Sequence, residues 1–259
     1  MKKTILVTGA TDGIGLEAVK MLTSAGHDIL LHGRNQSKLD KVAKELSGLA
    51  AGGRVESYVA DLSRMSEVED LATAVADKNE QLDVLINNAG VFAVSQNITD
   101  DGLDVRFAVN TIAPYLLTQK LLPLMDSSSR VINLSSAAQS SVDPEALTGH
   151  RRLTSAGAAY AQSKLAITVW SRHLALSLGS EAPAIIAVNP KSMLGSKMVR
   201  QAYGVNGGDL RIGADILFRA SLSDEFASAS GQYFDNDIGQ FTHPHPDALD
   251  SQKCKKIVD

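Results

Sequence analysis

Tyr160-Ala161-Gln162-Ser163-Lys164 sets a phenol four residues ahead of an ammonium. On a helix this spacing puts both side chains on one face. A phenol of pKa ~10 is a poor base at neutral pH, but a neighbouring cation stabilises the phenolate, so the pair suits proton exchange with a carbonyl oxygen. A second chemical signal stands far upstream in Thr8-Gly9-Ala10-Thr11-Asp12-Gly13-Ile14-Gly15. By analogy with the dinucleotide fingerprint, Gly9 permits the tight turn, Gly13 lets the backbone approach a diphosphate, and Gly15 packs a helix close to a strand. Thr11, Asp12 and Ile14 complete the turn. The spacing is G-x-x-x-G-x-G rather than the commoner G-x-G-x-x-G, and a purely structural glycine turn is the alternative.

The run Leu30-Leu31-His32-Gly33-Arg34-Asn35 ends where an acidic residue would accept hydrogen bonds from an adenosine ribose. Arg34 stands there, with Asn35 beside it. A guanidinium matches a 2′-phosphate that a carboxylate would repel. NADP(H) is therefore the expected cofactor and NAD(H) the alternative. Asp12 weighs against this by bringing negative charge to the same turn, and a solvated loop cation is the other reading of Arg34. Asp61, followed by Leu62, is placed to accept from an adenine amino group, or to cap a helix.

The elements that must position these groups are visible as short aliphatic runs alternating with longer amphipathic stretches, the pattern of βαβ units. Strands are expected near 3–8, 28–32, 54–60, 82–87, 129–135, 184–188 and 231–234. Helices are expected near 14–25, 36–47, 65–78, 103–125, 160–178 and 208–220. The fold class is α/β: a single-domain Rossmann fold over residues 1–259, with a doubly wound, parallel, seven-stranded sheet and helices on both faces. Segments 137–159 and 189–207 lack strong periodicity and are expected as substrate loops over the C-terminal edge of the sheet.

At 259 residues and 44% hydrophobic content the chain can bury one large core. A formal net charge of −4 offers no positive field for nucleic acid. The first residues run directly into a short strand, too little for a signal peptide or a span, so a cytoplasmic setting without a membrane partner is expected. The single cysteine, Cys254, excludes an internal disulfide. No metal site is expected: His243 and His245 are separated by Pro244 and have no carboxylate or thiolate cluster at ligand spacing. Gly-x-Ser-x-Gly and Gly-x4-Gly-Lys-Ser/Thr motifs are absent, which removes the common hydrolase and nucleotide-triphosphatase readings.

With Thr8–Gly15 first, then Asn87-Asn88-Ala89-Gly90, Asn110, Ser135-Ser136 and Tyr160/Lys164, the chain resembles the short-chain dehydrogenase/reductase family over roughly residues 3–235. The resemblance implies that Tyr160 is the general acid or base, and that Lys164 lowers its pKa and holds the nicotinamide ribose. It implies that Ser136 binds the substrate oxygen, Asn110 positions a water behind Lys164, and Asn88, Ala89 and Gly90 line the adenosine side. Pro190 matches the family's turn after the sixth strand, but Lys191 replaces the usual Gly, and Ser196 is the stand-in for a Thr that contacts the carboxamide. If that turn has a positive φ, Lys191 stores strain there. The long interval from Ser136 to Tyr160 resembles the retinol-dehydrogenase-like branch. Its triplet His150-Arg151-Arg152 is an exposed loop or a greeting for an anionic substrate.

The activity implied is interconversion of a carbonyl and an alcohol on a small, apolar substrate. A catalytically silent NADP(H)-sensing protein is the alternative, motivated by Lys191. Helices 103–125 and 160–178 would build a homodimer or homotetramer interface, or serve the core of one chain. The tail from 235 onward either covers the site or frays.

Overall fold

The structure is a computed structural model and describes residues 1–49 and 53–259. Seven strands run parallel: β1 (Thr4–Val7), β2 (Asp28–Gly33), β3 (Val55–Val59), β4 (Val84–Asn87), β5 (Arg130–Leu134), β6 (Ala184–Asn189) and β7 (Tyr233–Asp235). The strands β4, β5 and β6 are buried at every position. Unbroken apolar runs are what a parallel sheet covered on both faces requires.

An eighth strand, β8 (Gln240–Thr242), pairs antiparallel with β7, setting Phe234 opposite Phe241. The strand order is β3-β2-β1-β4-β5-β6-β7-β8. The sheet therefore has eight strands rather than the expected seven. The hydrophobic reason is an aromatic cluster in which Phe241 stacks 5.0 Å from both Phe226 and Phe234. The winding reverses between β1 and β4, and ligands of such sheets bind outside the carboxyl ends of the strands at that point.

On one face lie α1 (Gly13–Ser24), α2 (Gln36–Ser47) and, later in the chain, the helix Leu210–Leu222, which share a core with Ile5, Ile29, Ile86 and Ile186. On the other face lie α3 (Met65–Ala76) and the segment that follows β4. The single helix expected near 103–125 is interrupted: α4 (Val105–Phe107) passes into a π-helical turn, Ala108–Ile112, and then α5 (Ala113–Leu121). Pro114 has no N–H to give the carbonyl four residues back, which is that of Asn110. The long α7 (Ala156–Leu178) starts four residues ahead of Tyr160, because Ser155 Oγ accepts from Ala158 N at 3.3 Å and caps it there.

Both expected loops contain a short helix. Segment 137–159 holds α6 (Pro144–Leu147), and 189–207 holds α8 (Lys197–Tyr203); α9 is the Leu210–Leu222 helix. The tail forms β8 and then α10 (Ser251–Val258), so it does not fray. Cys254 and Ile257 of α10 pack with Leu165 and Val169 of α7, so this apolar face of α7 is satisfied within the chain. No helix among the described residues is long and apolar enough to cross a membrane.

Candidate active site

The phosphate turn is built by three strands. Gly9 has φ +65°, and a Cβ there would lie 2.8 Å from Ala89 Cα, so turn and β4 segment meet backbone to backbone. At Gly15 a Cβ would fall 2.7 Å from Gly9 O. Thr8 Oγ1 accepts from both Asn88 N and Ala89 N at 3.1 Å. Asn88 Nδ2 donates to Thr8 O at 2.8 Å and Gly9 O at 3.1 Å. Asn88 therefore anchors the turn with its side chain. Asp12 caps α1, accepting from Gly13 N at 2.8 Å, and its charge faces the helix end. Neither Ile14 N–H nor Gly15 N–H has an acceptor among the described residues. These donors at a helix N-terminus form an anion cradle, and a dinucleotide diphosphate fits it.

His32, which the sequence offers only as a strand residue, ties this turn together. Its Nδ1 accepts from Gly9 N at 3.2 Å, which leaves Nε2–H to donate to Ala60 O at 3.1 Å. Burial pushes its pKa down to about 4 against opposing effects of the Ala60 hydrogen bond and Asp61. The ring is neutral and fixed in one tautomer.

Arg34, at the end of β2, is exposed and has no hydrogen-bond or ion-pair partner among the described residues. The Thr11 side chain lies against Gly33 beside it, where a Cβ would be 2.8 Å from Thr11 Cγ2. Asn35 caps α2, accepting from Lys38 N at 3.0 Å, so its oxygen is committed. Asp61 does not cap α3, whose cap position is Arg64; its Oδ1 accepts from Ser63 N at 2.9 Å. Leu62 is buried in the core, so only its backbone can reach a ligand.

At the other end of the cleft, Ser136 and Tyr160 line it together, and the Ser136 hydroxyl favours the ionised form of the phenol. Ser136 Oγ also accepts from Ala138 N at 3.1 Å. Both Ser135 and Ser136 line the cleft, but Ser135 is buried and bonded to Lys164 O and Thr168 Oγ1, so Ser136 is the more accessible of the two. Lys164 is buried, donates to Leu134 O at 2.7 Å, and holds its Nζ 5.8 Å from the Tyr160 ring centroid. Tyr160 was expected to have a lowered pKa. Instead, loss of hydration outweighs the Ser136 hydrogen bond and pushes it up to about 12, while burial brings Lys164 down to about 8. At neutral pH Tyr160 is thus a neutral acid with a proton to give.

Asn110 lies in the π-helical turn, where its Oδ1 accepts from Val91 N at 2.8 Å and its Nδ2 donates to Val91 O and Ser163 Oγ at 3.0 Å. Ser163, not singled out in the sequence, passes the link on by donating to Tyr160 O at 2.7 Å. A Cβ on Gly90 would lie 3.5 Å from Asn110 Oδ1 and 3.7 Å from Lys164 Nζ. Gly90 therefore borders both Asn110 and Lys164. Buried Arg106, which pairs with Asp104 at 3.0 Å and donates to Phe92 O at 2.8 Å, holds the loop whose Phe92 meets Tyr160 edge-on at 5.1 Å.

Ser136 and Tyr160 open into a cleft of about 170 Å³ whose lining includes Ile14, Phe92, Pro190, Lys191 and Ser196. Ser196 caps α8 through Val199 N at 3.2 Å. Lys191 has φ +114° and Met193 φ +55°, so the turn after β6 carries the strain expected of a non-glycine there. It is clamped by Asp237 from the β7–β8 turn, which accepts from Ser192 N at 2.9 Å, Ser192 Oγ at 2.5 Å and Asn189 Nδ2 at 2.9 Å.

A family model for the short chain dehydrogenases matches residues 3–203. Human retinol dehydrogenase 13 is 30% identical over 98% of this chain and 82% of its own length. Mouse retinol dehydrogenase 12 is 31% identical over 90% and 77%. Among solved structures, the angucycline C-6 ketoreductase LanV with bound NADP superposes with a TM-score of 0.72, at 26% identity over 92% of this chain and 96% of that one. A protein from Mycobacterium paratuberculosis reaches 0.79, at 26% identity over 98% and 90%. The chain belongs to the short-chain dehydrogenase/reductase family, in its retinol-dehydrogenase-like branch. It is an oxidoreductase of CH–OH and C=O groups that takes a nicotinamide dinucleotide.

Proposed function

We propose that the protein is an NADP(H)-dependent oxidoreductase that interconverts a small, apolar carbonyl compound and its alcohol. The carrying observation is the Ser136–Tyr160 pair at the cleft, with neutral Tyr160 poised to donate. The dinucleotide, when bound, supplies the hydride. Tyr160 gives its proton to the developing alkoxide, and Ser136 Oγ–H donates a hydrogen bond to the same oxygen. Lys164 steadies the ribose and the phenolate that proton loss leaves behind. Asn110, in the π-helical turn behind Lys164, orients a water toward it.

The phosphorylated cofactor is favoured by Arg34, an uncommitted guanidinium where a ribose-binding carboxylate would stand, and NADP is bound in the LanV structure. Gly9, Gly13 and Gly15 shape the diphosphate site, Asp61 reaches the adenine, and Pro190 and Ser196 flank the nicotinamide. A cytoplasmic setting belongs to this reading. The apolar substrate follows from the lining supplied by Phe92, Met193, Leu194 and Met198.

A panel of aliphatic and aromatic ketones and aldehydes, offered with NADPH and NADH side by side, tests this. NADPH consumption with at least one member is expected, and Tyr160→Phe lowers kcat about 10²–10⁴-fold. Unchanged turnover in that variant removes Tyr160 from the chemistry. Tight NADPH binding with no consumption across the panel favours the sensor instead.

A further inference from the structure

The cations of the substrate end differ in what already engages them. In the exposed triplet, Arg151 pairs with Asp143 at 2.6 Å, Arg152 donates to Gly102 O at 2.8 Å, and His150 bonds Thr148 Oγ1 at 3.0 Å. None of the three lines the cleft. Lys191 does line it, together with Ser136, Tyr160 and Ile14. It forms no ion pair within 4.0 Å among the described residues. The carboxylate whose field it shares, Asp237, is already engaged by Ser192 and Asn189. The walls around it are mainly apolar, with Phe92, Leu194, Met198 and Val199. A cation without a committed partner, in a lining of low polarity, attracts anions more strongly as a ligand excludes water. Its backbone holds a φ that side chains rarely adopt, so the lysine stands where glycine would fit more easily.

We propose that Lys191 is an oxyanion-binding residue of the cleft. Two ligands can bring such a group to it: a carbonyl substrate with an apolar body and a carboxylate or phosphate, or the diphosphate of the dinucleotide at the Ile14 end. The proposal rests on the oxidoreductase reading above, and its test is separable from that reading.

The full-length protein is compared with Lys191→Met and Lys191→Arg. Both replacements keep an L side chain on the same backbone, so only charge and its geometry change. Three quantities are measured: NADPH affinity by fluorescence without substrate, KM for an aryl ketone carboxylic acid against its methyl ester, and calorimetric binding of inorganic diphosphate and of the free acid. If the source is the substrate, Lys191→Met raises the acid-to-ester KM ratio about tenfold and Lys191→Arg restores most of it. If the source is the cofactor, NADPH affinity falls about tenfold, again with rescue by Arg. The calorimetric arm needs no turnover, so it decides for Lys191 even if the panel yields no reduction. Equal oxyanion binding by wild type and Lys191→Met overturns the proposal, as does an equal change for acid and ester with NADPH affinity unmoved.

Discussion

The turns after β1 and after β6 face the same cleft and are held in opposite ways. The first places glycine where φ is positive and is locked by Thr8, His32 and Asn88, groups at or just past the carboxyl ends of β1, β2 and β4. The second puts Lys191 and Met193 at positive φ and depends on Asp237, a carboxylate in a hairpin 45 residues beyond Ser192. The phosphate end is relaxed and supported by the central sheet. The reaction end is strained, by about 1–3 kcal/mol per such residue, and supported by the hairpin at the sheet edge. Under the proposed function, the turn that cradles diphosphate is the fixed one and the turn beside the reacting atoms is the strained one.

The sharpest way to break this contrast is to put a side chain into the relaxed turn. Gly9→Ala adds a Cβ 2.8 Å from Ala89 Cα at φ +65°. It is expected to cost about 4 kcal/mol in urea unfolding and to abolish NADPH binding; a cost below about 1 kcal/mol would mean the turn is pliable.

A somewhat smaller effect comes from pH. His32 is neutral when folded, with its pKa lowered from 6.5 to about 4, so between these values the unfolded chain binds more protons. Stability is then level above pH 6.5 and falls as pH drops toward 4, by about 3 kcal/mol in total. Urea titrations across that range should show this slope, and His32→Gln should flatten it from a lower starting stability. The smallest effect is the reverse substitution in the strained turn. Lys191→Gly should raise stability by about 1 kcal/mol, read as a shift in the urea midpoint; a loss would show the turn to be unstrained.

Much of the fold was written in local pattern. Parallel strands with continuous apolar runs, long amphipathic helices and the Tyr160/Lys164 spacing are all carried by neighbouring residues, so the doubly wound parallel sheet was within reach. What escaped depends on distance. The strand β8 has three residues and exists because Phe241 finds Phe226 and Phe234. Helices α6 and α8 are too short to show a period. His32 looked like any strand residue, and its role appears only when Gly9 and Ala60 arrive on either side of it. Nothing in the sequence reveals that Thr8 O and Gly9 O claim the Asn88 amide. The pKa of Tyr160 was expected to fall with Lys164 nearby, and burial, invisible in a spacing, reversed it.

The hairpin clamp also sets an order of events during synthesis. Thr8, Gly9, His32 and Asn88 have all emerged one residue past β4, although α9, whose Gly213 packs on Ile14 of the same turn, follows much later. The turn at Lys191 and Ser192 emerges much later and then waits for Asp237, 45 residues further on. A chain still on the ribosome therefore carries the residues of the Gly9 turn long before those that hold the Lys191 turn, and the cleft between them is completed only when the sheet gains its β8 edge.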